Sequence, residues 1–99
     1  MINDYSMKID GKNYGVVAET GQYDYEWHIV ALLQDEEGNL FFASDSGCSC
    51  YGFGDDLTER NLTPVKHWSE AVDLARAEID GYFLTDDEVA KFAERLMKA

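Results

Sequence analysis

An α+β domain, built as an antiparallel meander of three to four strands in the N-terminal two thirds and covered by two C-terminal helices, is predicted by the order of periodicities along the chain. Three observations carry the prediction. Period-two alternation runs through the first part of the chain, glycine-containing polar turns interrupt it at hairpin spacing, and two stretches of helical period with capping residues close it. The 99 residues suffice for one hydrophobic core, so a single domain is expected, with the sheet and a glycine-rich loop in 1–67 and the helices in 68–99.

Tyr5, Met7 and Ile9 alternate with Ser6 and Lys8, and Asp10-Gly11 then tolerates the positive φ of a tight turn. Tyr14 to Glu19 is the expected return strand, its Val16 and Val17 favouring the extended state. Gly21 to Asp24 reads as a loop. Tyr25 to Gln34 should be central: Trp27, Ile29, Ala31 and Leu33 share one face, and Glu26, His28, Val30, Leu32 and Gln34 the other, which is apolar enough to need partial cover. Asp35 to Asn39 supplies a hairpin loop with Gly38, and Leu40 to Ser44 returns antiparallel. Leu62 to His67 fits a short edge strand, where Pro64 is tolerated because an edge N–H need not pair. Ser69 is the expected N-cap of a first helix with stripe Ala71, Leu74, Ala75 and Ile79, ended by Gly81. Thr85 and Glu88 form a capping box, Leu84 and Val89 a hydrophobic staple, and Val89, Phe92, Ala93, Leu96 and Met97 the stripe of a second helix.

Bulk composition excludes several classes of function. Hydrophobic residues make up 45% and aromatics 13% of the chain, so it should fold. A net charge of −12 excludes naked nucleic acid and anionic membranes as direct partners. No basic residue falls between Lys12 and Arg60, which concentrates the negative field on the sheet-and-loop half. There is no run of about 18 apolar residues to span a membrane. The first residues lack the basic start and apolar stretch of a secretion signal, so the cytoplasm is the expected compartment. The two cysteines are expected there as thiols.

Both cysteines and three of the eight glycines fall between Asp45 and Asp56. Cys48-x-Cys50 could enter a zinc site with His28 and His67, but structural zinc sites separate paired cysteines by two to four residues. Asp45, Asp55 and Asp56 disfavour a thiolate, which argues against a redox or nucleophilic cysteine. Gly52-x-Gly54 is followed by two aspartates that would repel a phosphate. Asp55-Asp56 and Asp86-Asp87-Glu88 already have local roles, in a turn and at a helix N-terminus. No catalytic residue, metal ligand or cofactor is therefore assigned. The stretch reads as a shaped loop whose cysteines hold it to the sheet and which carries Tyr51 and Phe53, as interaction anchors or as plugs packing back on the core.

The strand with Trp27, the run Phe42-Ala43-Ser44-Asp45-Ser46-Gly47-Cys48-Ser49-Cys50, Phe53-Gly54-Asp55, and Leu62-Thr63 leading into a short acidic helix together resemble small proteins of actinobacterial phages, including mycobacteriophages. The likeness covers roughly residues 14 to 75, and Ser-Gly-Cys-Ser-Cys is its one specific word. It assigns no activity to any residue. What it implies is context: a non-structural phage protein made in the host bacterial cytoplasm, of a kind that binds a host or defence protein.

The expectation is thus a non-enzymatic, acidic phage accessory protein that binds and modulates a bacterial protein with a basic surface, in one version by nucleic-acid mimicry. Tyr51, Phe53, Asp55, Asp56, Asp45, Glu36 and Glu37 are the expected partner-binding residues. Two alternatives stand beside it: a metal- or thiol-dependent protein centred on Cys48 and Cys50, and a structural piece of a phage assembly.

Overall fold

In the computed structural model, which describes residues 5–22, 26–48, 52–55, 57–78 and 84–99, one antiparallel sheet holds five strands. They are β1 (Tyr5–Ile9), β2 (Lys12–Gln22), β3 (Glu26–Asp35), β4 (Leu40–Cys48) and β5 (Leu62–Val65). Their spatial order is their chain order, so every connection joins neighbours. Two helices follow, α1 (Trp68–Ala77) and α2 (Asp86–Lys98). The α+β meander under two C-terminal helices is therefore present, with five strands instead of three or four.

β3 organises the sheet because it is apolar on both faces. Trp27, Ile29, Ala31 and Leu33 on one side and Val30 and Leu32 on the other are all buried. An antiparallel strand with one wet face would alternate apolar and polar residues, whereas this one demands cover twice. The helices supply one cover: Ala71, Val72 and Ala75 of α1 and Val89, Phe92 and Leu96 of α2 pack on Val17, Ala18, Val30, Leu32 and Phe42. At about 1.5–3 kcal/mol per fully buried large side chain, Phe92 and Leu96 anchor α2 more firmly than its helix propensity does. The opposite face, with Ile9, Tyr14, Val16, Ala31, Leu33 and Ala43, is covered by Leu57 and Leu62.

A bulge in β2 reconciles the two faces. Val16 pairs with Leu33 but Ala18 pairs with Leu32, so Val17 is an inserted residue. Before the bulge, Tyr14 and Val16 point away from the helices. After it the phase is reversed, and Thr20 faces α2, its hydroxyl donating to the Glu88 carbonyl at 2.9 Å. Arg95 of α2 reaches the Glu19 carbonyl at 2.6 Å.

Asp10 and Gly11 both take positive φ, 51° and 81°, the signature of a two-residue hairpin that matches strand twist. β2 and β4 run further than their sequences suggest. Gly21 pairs with Ile29, and Asp45, Ser46, Gly47 and Cys48 pair with Ile29, His28, Trp27 and Glu26, so these residues are strand where a loop was expected. The reason is templating: β3 offers a full-length hydrogen-bonding edge on each side. Gly21 is required by that pairing, since its φ is +136° and a Cβ there would lie 2.1 Å from the His28 carbonyl oxygen.

The helix ends also depart from expectation at one cap. His67, not Ser69, is the N-cap of α1, its Nδ1 accepting the Ser69 N–H at 3.1 Å. α1 ends at Ala77 with Glu78 as C-cap, and Ile79 and Gly81 lie outside the described residues. The capping box of α2 is as predicted, Thr85 N–H donating to Glu88 Oε1 at 3.0 Å and Glu88 N–H to Thr85 Oγ1 at 3.3 Å. Leu84 and Val89 are both buried beside it. Met97 is 68% exposed, because at about 100° per residue it stands roughly 140° around the helix from Phe92, off the buried stripe.

Gly21→Ala should cost on the order of 3 kcal/mol or more, since backbone strain is joined by a clash with main chain. Gly11→Ala, where nothing lies within 4 Å of the added methyl, should cost only about 1–2 kcal/mol. Urea unfolding of the two variants compares them, and equal losses would contradict the strand placement of Gly21.

Candidate functional site

The glycine-rich stretch is a clasp over the sheet face opposite the helices. Leu57 is buried in the cluster with Ile9, Tyr14 and Val16, and Phe53 packs against the same cluster. The Phe53 ring meets Trp27 edge-on, with centroids 6.5 Å apart and planes at 82°, a favoured aromatic geometry. Gly54 takes φ +95° and lies so close to Met7 that a Cβ would come within 2.9 Å of its sulfur.

Further on, Glu59 ties the clasp to the first hairpin. Its N–H donates to Asp10 Oδ2 at 2.8 Å, and its Oε1 lies 3.1 Å from Lys12 Nζ and 3.5 Å from the Tyr14 hydroxyl. The Glu59 carboxylate raises the pKa of Lys12 through a hydrogen bond and its charge. Burial, and then Glu59, raise that of Tyr14.

The predicted binding residues therefore divide. Phe53 is half-buried, its ring packed on the clasp-side cluster and edge-on to Trp27, where it helps cover that face of β3. Asp45 and Asp55 help shape the clasp: Asp45 Oδ2 accepts the Gly54 N–H at 3.5 Å, and Asp55 Oδ2 accepts the Gly52 N–H at 2.8 Å. Tyr51, Asp56, Cys50 and the Cys48 side chain lie outside the described residues.

Glu36 and Glu37 belong to a different place, the β3–β4 turn. The run of β4 from Leu40 to Asp45 separates the two groups by about 17 Å. At this turn Asp35 acts as an internal brace. Its Oδ1 accepts the N–H groups of Glu37 at 2.9 Å and Asn39 at 2.8 Å, and its Oδ2 accepts Asn39 Nδ2 at 3.0 Å. The Asn39 side-chain hydrogen bond is the main reason the Asp35 carboxyl is held below its ordinary pKa. Glu36 is tied by Asn13 Nδ2 at 2.8 Å. A hollow of about 310 Å³ lies between the two turns, lined by Gly11, Lys12, Asn13, Asp35, Glu36 and Glu37.

One polar cluster escaped the sequence reading. His28 points to the helical side of β3, where its Nε2 lies 3.3 Å from Ser44 Oγ and 3.7 Å from Glu78 Oε2. The available signal was a histidine on the second apolar face. Ser44 Oγ and the Glu78 carboxylate both approach the Nε2 of His28, and these contacts tie the C-terminal end of α1 to the sheet. Burial lowers the His28 pKa below 6.5, against the opposing charges of Glu78, Asp45 and Glu88. His67 caps the far end of α1, roughly 16 Å from Glu78 at 1.5 Å per residue, so the two histidines do not converge on one metal. Among the described residues no group of three or more His, Cys, Asp or Glu is placed to hold a metal ion. No helix among them is long and apolar enough to cross a membrane.

Fold and site together define a small α+β domain with a clasped sheet and an acidic turn at one end. A family model described as Domain of unknown function (DUF7574) matches residues 5–99, and the chain belongs to that family. Neither the curated proteins nor the solved structures contain a match to it.

Phe53→Ala should lower stability by about 1–3 kcal/mol and move the Trp27 emission to longer wavelength, as ring packing and burial are lost together. An unchanged unfolding midpoint would mean that Phe53 is not a plug. The His28 shift also has a sign. The folded state favours the neutral ring, so as pH falls below 6.5 the unfolded chain takes up the proton first and stability is lost; above 6.5 it is fully present. Melting temperatures at about pH 7.5 and 5.5 should fall less between the two conditions in His28→Gln than in the parent.

Proposed function

We propose that the protein is a non-enzymatic binding module, a phage accessory protein that engages a basic surface on a bacterial protein and modulates it. The observation that carries this reading is the uncompensated charge of the sheet layer. Glu36, Glu37 and Asp55 are exposed, and no basic residue occurs between Lys12 and Arg60. Of those two bases, Lys12 is neutralised by Glu59. Glu36 and Asp55 have uncharged partners, the Asn13 amide and the Gly52 N–H, which do not cancel their charge; such carboxylates cost folding stability through mutual repulsion and serve a steered encounter with a basic partner. The phage and cytoplasmic context comes from the resemblance in the Ser46–Cys50 stretch. Mimicry of nucleic acid is a narrower version that needs a row of carboxylates on one face. The acids here are distributed over the sheet turns, the clasp and the first turns of both helices, so general protein binding is the version put forward.

The test is capture from a bacterial lysate by the tagged protein at low and at moderate salt. A partner retained at low salt and progressively lost as screening increases is the expected result. Recovery of nothing but the protein itself at every salt concentration would overturn the reading.

A further inference from the structure

We infer that the outer edge of β1 is a strand-addition site, taking an antiparallel extended segment of a partner protein in which acidic and apolar residues alternate. This goes beyond the binding role proposed above, whose partner is basic, and neither reading depends on the other.

The sheet has two edges, and they differ. β5 carries Pro64, which has no N–H to offer an incoming chain. β1 has no proline, and among the described residues it pairs with β2 alone. A two-residue hairpin closes on a hydrogen-bonded pair, here Ile9 with Lys12, and such pairs alternate with open ones along the ladder. Tyr5 and Met7 therefore turn their backbone groups toward β2, while the N–H and C=O groups of Ser6 and Lys8 point away from the sheet. Both residues are exposed. Outward groups at every second residue are what an added antiparallel strand pairs with.

The two faces of this edge define the side chains of the added strand. Met7 lies on the clasp side with Ile9, and Tyr5 shares that face by alternation. Tyr5 is 42% exposed and Met7 half-buried, so residues added beside them meet apolar surface. Ser6 and Lys8 lie on the helix side. There α1 covers β3, β4 and β5 while α2 covers β2. Ala93 on one flank of α2 packs into the core, and Arg95 stands about 160° around the helix from it, on the flank toward β1, with Lys91 and Lys98 within about 60° of Arg95. Lys98 is paired with Glu94 at 2.8 Å. Among the described residues Lys8, Lys91 and Arg95 form no ion pair with a carboxylate, and Arg95 donates to the neutral Glu19 carbonyl. Three uncompensated bases along one edge of a chain of net charge −12 favour acids on that face of an incoming strand. A second copy is the wrong occupant, because pairing β1 with itself about Met7 would bring two basic flanks together.

The experiment is a titration of the ¹⁵N-labelled protein at neutral pH, followed by amide chemical shifts, with three synthetic peptides. The first alternates valine and glutamate, and the second has lysine in place of glutamate. In the third the glutamates of the first are N-methylated, which keeps the charge and removes the N–H groups that would pair with Ser6 and Lys8. The result expected is a set of shifts centred on Tyr5 to Ile9 and on Lys91 to Lys98. Binding should be at least about fivefold weaker for the second and third peptides, and for the first peptide to Lys8→Glu/Lys91→Glu. Both substituted side chains are exposed, so this variant keeps the fold. Equal binding of the first and third peptides would reduce the site to a charge contact and overturn strand addition. Equal binding of the lysine peptide, full binding to the double variant, shifts centred on β5 or on the β3–β4 turn, or no shifts at all would overturn the assignment as well. Capture of a basic partner from lysate is decided separately, so either reading can fail while the other stands.

Discussion

A strand that is apolar on both sides cannot be left half wet, and β3 is such a strand. Exposing either Trp27, Ile29, Ala31 and Leu33 or Val30 and Leu32 would forfeit on the order of 1.5–3 kcal/mol for each large side chain, a sum comparable to the whole stability of a small domain. The helices meet half of this requirement and the clasp the other half. The bulge at Val17 follows from the same constraint, because β2 must feed Tyr14 and Val16 to one core and Ala18 and Thr20 to the other.

The clasp shows how the demand for cover changes the use of a loop. A stretch rich in glycine, aromatics and acid has the composition of an exposed contact site, yet Phe53 and Leu57 are drawn inward and Asp45, Asp55 and Glu59 bind backbone or Lys12. Its individual fasteners are weak, since the Lys12–Glu59 pair is exposed and screened by water. Apolar contact is what keeps it in place. At the β3–β4 turn Asp35 braces the backbone from within, Glu36 is tied to Asn13 of β2, and Glu37 is exposed.

Much of the framework was legible because it depends on short-range chemistry. Thr85 and Glu88 sit three residues apart and satisfy one another whatever packs above them. Asp10-Gly11 tolerates positive φ at two successive positions, which already selects a tight hairpin. Less was legible of the candidate site. Nothing local distinguishes Phe53 as a plug from Phe53 as an anchor, and nothing near Ser69 reveals that the ring of His67 will cap the helix in its place. Gly21 looked like a loop residue, yet it is the one residue type that can lie so close to the His28 carbonyl.

By itself, the sequence determined the order and type of the elements, the capping box of the second helix, the tight turns and the surplus of negative charge, all of which arise within a few residues or from simple totals. Tertiary structure alone decided how far β2 and β4 extend, which face each cover takes, that His28 meets Ser44 and Glu78, and that Phe53 packs against Trp27. These depend on what lies across the sheet at large sequence separation, and burial there overrides local composition.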